Sequence, residues 1–317
     1  RTLSFLFSTE YFVAMSYGND ENNGTSLATP FKTIEKASSL MSEGDICYIR
    51  QGLYHETIFI DNISGSEGLP ITFASFLNEK VVLDGTKAID SLWVLHSDNI
   101  WKTTIDFDIW QLFVDRSEMI MARWPNASFT DGSIWDKEDH WGHGTIDLDE
   151  NSYSNGTLID YPHGEVNLAE SGLNIEDAIA ILNVGSFKTW TRRVLTHSGN
   201  TFTYDPVPDW KLKHHDYFLE GKLEFLDNEN EWFFNPETKE LYLYPPDGLD
   251  PNELEIRGKV QSYAFDITNS DYVELKNIEF FATTFRFTNC DYGLVEGCNL
   301  FYPSCYKRML GVVDTPP

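Results

Sequence analysis

The sequence predicts an all-β fold: coils of a parallel β-helix, preceded by a cap with one α-helix and interrupted by an inserted β-rich domain. Three observations predict it. Residues 269–281, NSDYVELKNIEFF, return twenty residues on as 289–301, NCDYGLVEGCNLF. Phe265, Ile267, Val273, Leu275 and Ile278 likewise meet Phe285, Phe287, Gly293, Val295 and Cys298 at that interval. A period near 20 with apolar positions in register belongs to stacked units, each too small to bury its own hydrophobic face. Second, short β-branched and aromatic runs bounded by Gly, Asn or Pro occupy the first ninety residues. Third, the tryptophans cluster between Trp93 and Trp232 among long polar loops, which sets the middle of the chain apart. The predicted division is 1–90 for the cap and first strands, 91–250 for the inserted domain, and 251–317 for the first coils, continuing beyond this chain.

The elements follow in order. The opening RTLSFLF reads as a first strand, with the tail of a signal peptide as its alternative. Residues 17–24 form a polar, Gly-punctuated loop whose oxygens suit Ca²⁺ by type, although the spacing is not that of an EF-hand. Thr29 as N-cap, Pro30 at the first position, and Phe31, Ile34, Ala37 and Met41 at helical spacing before Gly44 predict the one confident helix. Strands are expected at 45–49, 55–60, 71–76 and 81–84. In the middle, hairpins are expected around 115–117 and 235–238, and 131–165 reads as loop. In the coils, Asn269 and Asn289 are expected at turns, where Asn tolerates left-handed backbone and can ladder from coil to coil.

Composition narrows the function. A net charge of −27 makes nucleic acid or an anionic membrane a poor partner. No apolar run reaches the ~20 residues a membrane span needs. Cys47, Cys290, Cys298 and Cys305 form no CxxC pair and no zinc spacing, so no metal site is expected from them; one disulfide or free thiols both fit.

At this point the sequence resembles a known group, secreted right-handed parallel β-helix proteins that act on polysaccharides. The resemblance lies in Tyr17–Asp20, Pro30–Ile34, Gly44-Asp45, Tyr48-Ile49, Gly52, Tyr54 and Glu56 of the cap. It extends to Ala122–Asn126, Leu219–Gly221, Glu231–Phe234 and Leu241–Tyr244 of the middle. It implies a secreted or periplasmic glycoside hydrolase acting on an extracellular polysaccharide, of sulfated or uronic type, by carboxylate acid/base catalysis without an organic cofactor. A polysaccharide lyase and a non-catalytic glycan-binding protein are the alternatives. In such enzymes the principal acid pair lies on later coils than these.

Within this chain, alternation between Phe265 and Ile267 turns Asp266 outward, and the period carries the same slot to Arg286 and Tyr306. Asp266 is the candidate catalytic carboxyl, and Arg286 and Tyr306 candidate substrate contacts; the plain alternative is a surface ion pair. A second candidate group is Arg192, Arg193, Trp210, His214, His215 and Tyr217, where aromatic faces and bidentate guanidinium groups would suit an anionic glycan. An open end after the third coil would expose strand edges, so a partner chain or a C-terminal region is expected to cover it.

Overall fold

Alternation along short strands builds the first unit. The structure, a computed structural model, describes residues 8–144, 156–184, 189–207 and 215–313, so the first strand expected in the opening RTLSFLF lies outside it. The described chain is all-β with mixed sheets and two short α-helices, Ile34–Ser38 and Lys137–His140. No helix among the described residues is long and apolar enough to cross a membrane. Two compact units form, one from 1–87 with 259–305 and one from 88–258 with 306–317.

The first unit holds three sheets, each parallel throughout. One runs Glu10–Val13, Ile46–Ile49, Ile71–Ser75, Val273–Lys276, Leu294–Glu296. The second runs Gly52–Tyr54, Val81–Asp84, Glu279–Phe281, Asn299–Phe301, and the third Ile58–Asp61, Tyr263–Thr268, Thr284–Thr288. The chain visits them cyclically. Inward residues such as Cys47, Phe73 and Leu275 align across one sheet and meet Ile58, Ile60, Phe265 and Ile267 of another in a single core. The twenty-residue period is visible side chain by side chain. Asn269 and Asn289 both adopt left-handed backbone (φ 49° and 53°), and Asn289 Nδ2 donates to Asn269 Oδ1 at 3.3 Å. Tyr272 and Tyr292 stack at 4.5 Å between centroids.

The cap corrects one expectation. The helix begins after Thr33, whose hydroxyl accepts from Lys36 N, and not after Thr29. Phe31 is held as extended chain because its N–H donates to Phe12 O and its carbonyl accepts from Ala14 N. Asp20 accepts from the N–H groups of Lys32 and Thr33, and Glu56 from those of Ile34 and Glu35, so two carboxylates anchor the helix start. Asp20 thereby ties the loop 17–24 to the helix start, and among the described residues no three His, Cys, Asp or Glu converge as for a metal ion. Gly24 (φ +69°) lies under the Phe31 ring, where a Cβ would sit 2.0 Å from Cε2. Gly24→Ala is therefore expected to destabilise the chain by about 1–3 kcal/mol, read as a lowered thermal midpoint.

The chain leaves the coils after Thr86 and returns at Val260, whose N–H and that of Gln261 both donate to Gly85 O, at 2.9 and 3.1 Å. The third sheet gains no strand after Thr284–Thr288. Pro303 cannot donate to a ladder, and the buried Lys259 ammonium ties the carbonyls of Tyr302 and Ser304. The expected third rung at Tyr306 is therefore missing, and 306–317 belong to the second unit. All four cysteines are free thiols.

The second unit carries a seven-stranded antiparallel sheet built around Ile179–Asn183, Trp190–Ser198 and Asp216–Glu220. Beside it in sequence are the strands Ile120–Met121, Glu231–Phe234, Glu240–Leu243, Ile100–Thr104 and Val94–Ser97 of a five-stranded sheet. The hairpin expected at 235–238 forms. The one expected at 115–117 closes tighter, with Val114 opposite Ser117, and Ile120–Met121 leaves it to pair in parallel with Glu231-Trp232. The segment 131–165, expected as loop, contains the helix Lys137–His140 and the strands Gly142–His143 and Thr157–Ile159.

Candidate functional site

The outward face of the third sheet in the first unit carries the strip expected around Asp266. Phe265 and Ile267 are buried, so Asp266 faces out, and the parallel register sets Phe59, Asp266 and Arg286 side by side. Neighbouring strands lie ~4.8 Å apart, which sets the interval between these side chains. Phe59 is 68% exposed. Arg286 Nε and Nη2 donate to the two oxygens of Asp266 at 3.0 and 2.5 Å, and the guanidinium lies 4.7 Å over the Tyr263 ring. The bond to Asp266 raises the Arg286 pKa. A second polar line runs alongside, with Asn269 Nδ2 donating to Asp61 Oδ1 at 3.1 Å.

Tyr306 does not extend this strip. It lies half-buried in the second unit, under the Arg308 guanidinium at 3.8 Å, and burial pushes its phenol pKa up. Of the second candidate group, Arg192, Arg193, His215 and Tyr217 are among the described residues. Trp210 and His214 lie outside the described residues. Arg192 and Arg193 are adjacent on Trp190–Ser198 and so face opposite ways: Arg192 Nη1 donates to Thr191 O, and Arg193 Nη1 to Asp177 O. Tyr217 is a core residue, fully buried, its hydroxyl donating to Asp160 Oδ1 at 2.8 Å; burial raises its pKa far above the usual phenol range. His215 is half-buried and its carbonyl accepts from Gly144 N.

The sequence reading missed a cleft in the second unit. Arg123, only 1% exposed, donates through Nε to Pro125 O at 2.8 Å and through Nη2 to His140 O at 3.0 Å, and lies 4.0 Å over the Phe218 ring. Burial lowers its pKa to about 10, opposed by Glu220 and Glu231. Glu231, also fully buried, accepts from the backbone N–H groups of Arg123, Asp227 and Asn228. Burial first, then Asp227, push its pKa up to about 8. Glu220 takes a bidentate bond from Arg308, at 2.8 and 3.2 Å. Beside this network opens a cleft of about 330 Å³. Its polar lining includes Glu118, Glu220, Tyr306 and Arg308, its apolar lining Phe129, Trp135 and Trp141. The available signal was charge at signature strands: Arg123 sits within the run Met119–Trp124, Glu220 ends the run Tyr217–Leu219 and Glu231 opens the run Trp232–Phe234.

No protein-family model matches the chain. Over 78 residues it is 41% identical to the uncharacterized protein YwoF of Bacillus subtilis (strain 168), covering 25% of this chain and 16% of that protein. Among solved structures, a glycoside hydrolase superposes with a TM-score of 0.65 at 18% identity, over 87% of this chain and 51% of its own. The complex structure of XylC with xylose matches at a TM-score of 0.42 and 22% identity, over 87% of this chain and 36% of its own. The chain thus spans about half the length of the first of these structures and a sixth of YwoF. The fold of this chain is like that of a solved glycoside hydrolase.

Proposed function

We propose that the chain is part of a glycoside hydrolase that cleaves an extracellular polysaccharide. The observation that carries this reading is the fold, shared over 87% of the chain with a solved glycoside hydrolase. The cyclic parallel sheets support its finer form, the opening coils of a right-handed parallel β-helix, since parallel crossovers are right-handed in about 98% of cases. On this reading the protein works outside the cytoplasm, without an organic cofactor, and a further coil or chain covers the last rung.

The strip of Phe59, Asp266 and Arg286 supplies a surface that such a chain would contact. Both Asp266 oxygens are engaged by Arg286, which favours a gripping role over proton donation. Of the residues named for an anionic glycan, Arg193 bonds to a backbone carbonyl and Tyr217 is buried in the core. That same locked pair favours a second reading, a non-catalytic glycan-binding protein.

A digest of the purified protein against neutral and anionic polysaccharides, read by mass spectrometry, tests the proposal. New reducing ends are expected, and Arg286→Ala is expected to lower turnover while leaving the thermal midpoint nearly unchanged, as for an exposed ion pair. Blank digests across the panel would remove the hydrolase reading; an ultraviolet-absorbing unsaturated product would replace it with a lyase.

A further inference from the structure

The cleft of the second unit combines features that together select a ligand class. Its volume of about 330 Å³ lies at the small end of the ~300–1,000 Å³ typical of small-molecule sites, so it holds a compact ring and not a run of chain. Trp135 is 81% exposed and Phe129 43%, although both line the cleft. Large aromatic faces left open at a cleft are costly unless something covers them, and flat C–H surfaces of sugars do so well.

The charges point the same way. Arg308 is matched by Glu220 in a bidentate pair, and Arg123 is buried with Nε and Nη2 turned to backbone carbonyls. The two guanidinium groups are balanced by the carboxylates of Glu220 and Glu118, the latter accepting from Gln111 Nε2 at 2.6 Å. A lining of balanced charge offers donors and acceptors to hydroxyl groups and no net attraction to a carboxylate or sulfate.

We propose that this cleft binds a single neutral sugar ring, stacked on Trp135 and held through Glu118 and the Glu220–Arg308 pair. The inference rests on the glycan reading above but not on hydrolysis. It assigns the second unit a recognition role separate from the strip on the coils.

Isothermal titration of the purified chain with D-glucose, D-galactose and D-xylose, and with D-galacturonate as the anionic comparison, tests it. Saturable binding of at least one neutral sugar is expected, weakened roughly tenfold or more by Trp135→Ala and by Glu118→Gln, with galacturonate at least tenfold weaker. Trp135 is on the surface, so unchanged circular dichroism of Trp135→Ala separates lost binding from lost fold. No saturable binding, binding indifferent to Trp135→Ala, or equal affinity for galacturonate overturns the proposal. Trp135-dependent binding with a blank polysaccharide digest would remove the hydrolase reading and leave this one; active digestion with no sugar binding would do the reverse.

Discussion

Arg123→Leu is expected to lower the stability of the chain by about 3–5 kcal/mol, the usual result of removing one partner from a buried charge network. Leucine would fill much of the space against Phe218, so the loss is chiefly electrostatic and polar. The carbonyls of Pro125 and His140 lose their donors, and the Glu220 carboxylate loses a nearby cation. Each buried group left unsatisfied costs about 1–3 kcal/mol. Urea unfolding followed by tryptophan fluorescence should show the transition midpoint fall sharply. A change below about 1 kcal/mol would mean that the network contributes little, and the role given to Arg123 would fail.

Glu231→Gln is expected to act in the opposite direction, and only at high pH. The folded-state pKa of Glu231 is raised to about 8, above its value in the unfolded chain, because burial disfavours the carboxylate. A group raised in this way contributes stability that is fully present below its unfolded pKa and is lost as pH rises through the folded one. Between about pH 4.5 and 8 the wild type therefore loses stability by at most about 5 kcal/mol, at ~1.36 kcal/mol per pH unit. Glutamine keeps one oxygen for the N–H groups of Asp227 and Asn228 and has no proton to lose, at the cost of the 3.4 Å bond from Arg123 N, a loss that does not change with pH. Urea midpoints measured at pH 5.5, 7 and 9 should give two curves that nearly meet at the lowest pH and diverge as it rises, the variant being the more stable. The comparison cancels other titrations of this acidic chain. Parallel curves, or a variant weaker at every pH, would show that Glu231 is ionised in the fold.

What the sequence revealed was what repeats. Apolar alternation at an interval of twenty fixed the inward positions from Phe265 to Phe287, and Asn269 and Asn289 stand at the turns their chemistry suits. The helix start was misplaced because Thr29-Pro30-Phe31 satisfies every local rule for a cap, while the hydrogen bonds of Phe31 to the strand Glu10–Val13 are long-range. Tyr306 was misplaced for a similar reason: the period predicts its slot, but Pro303 and Lys259 end the ladder first. The cleft was illegible because its lining comes from segments as distant as Glu118, Phe218 and Arg308. Periodicity carries no information about that meeting.

The clasp between Gly85 and the pair Val260–Gln261 sets a clock on synthesis. The strands Ile58–Asp61 and Val81–Asp84 are finished long before their partners Tyr263–Thr268 and Glu279–Phe281 exist. At ~5–20 residues per second, the intervening chain takes roughly 10–35 s to emerge from a ribosome. For that interval the nascent cap presents open strand edges to every neighbouring polypeptide.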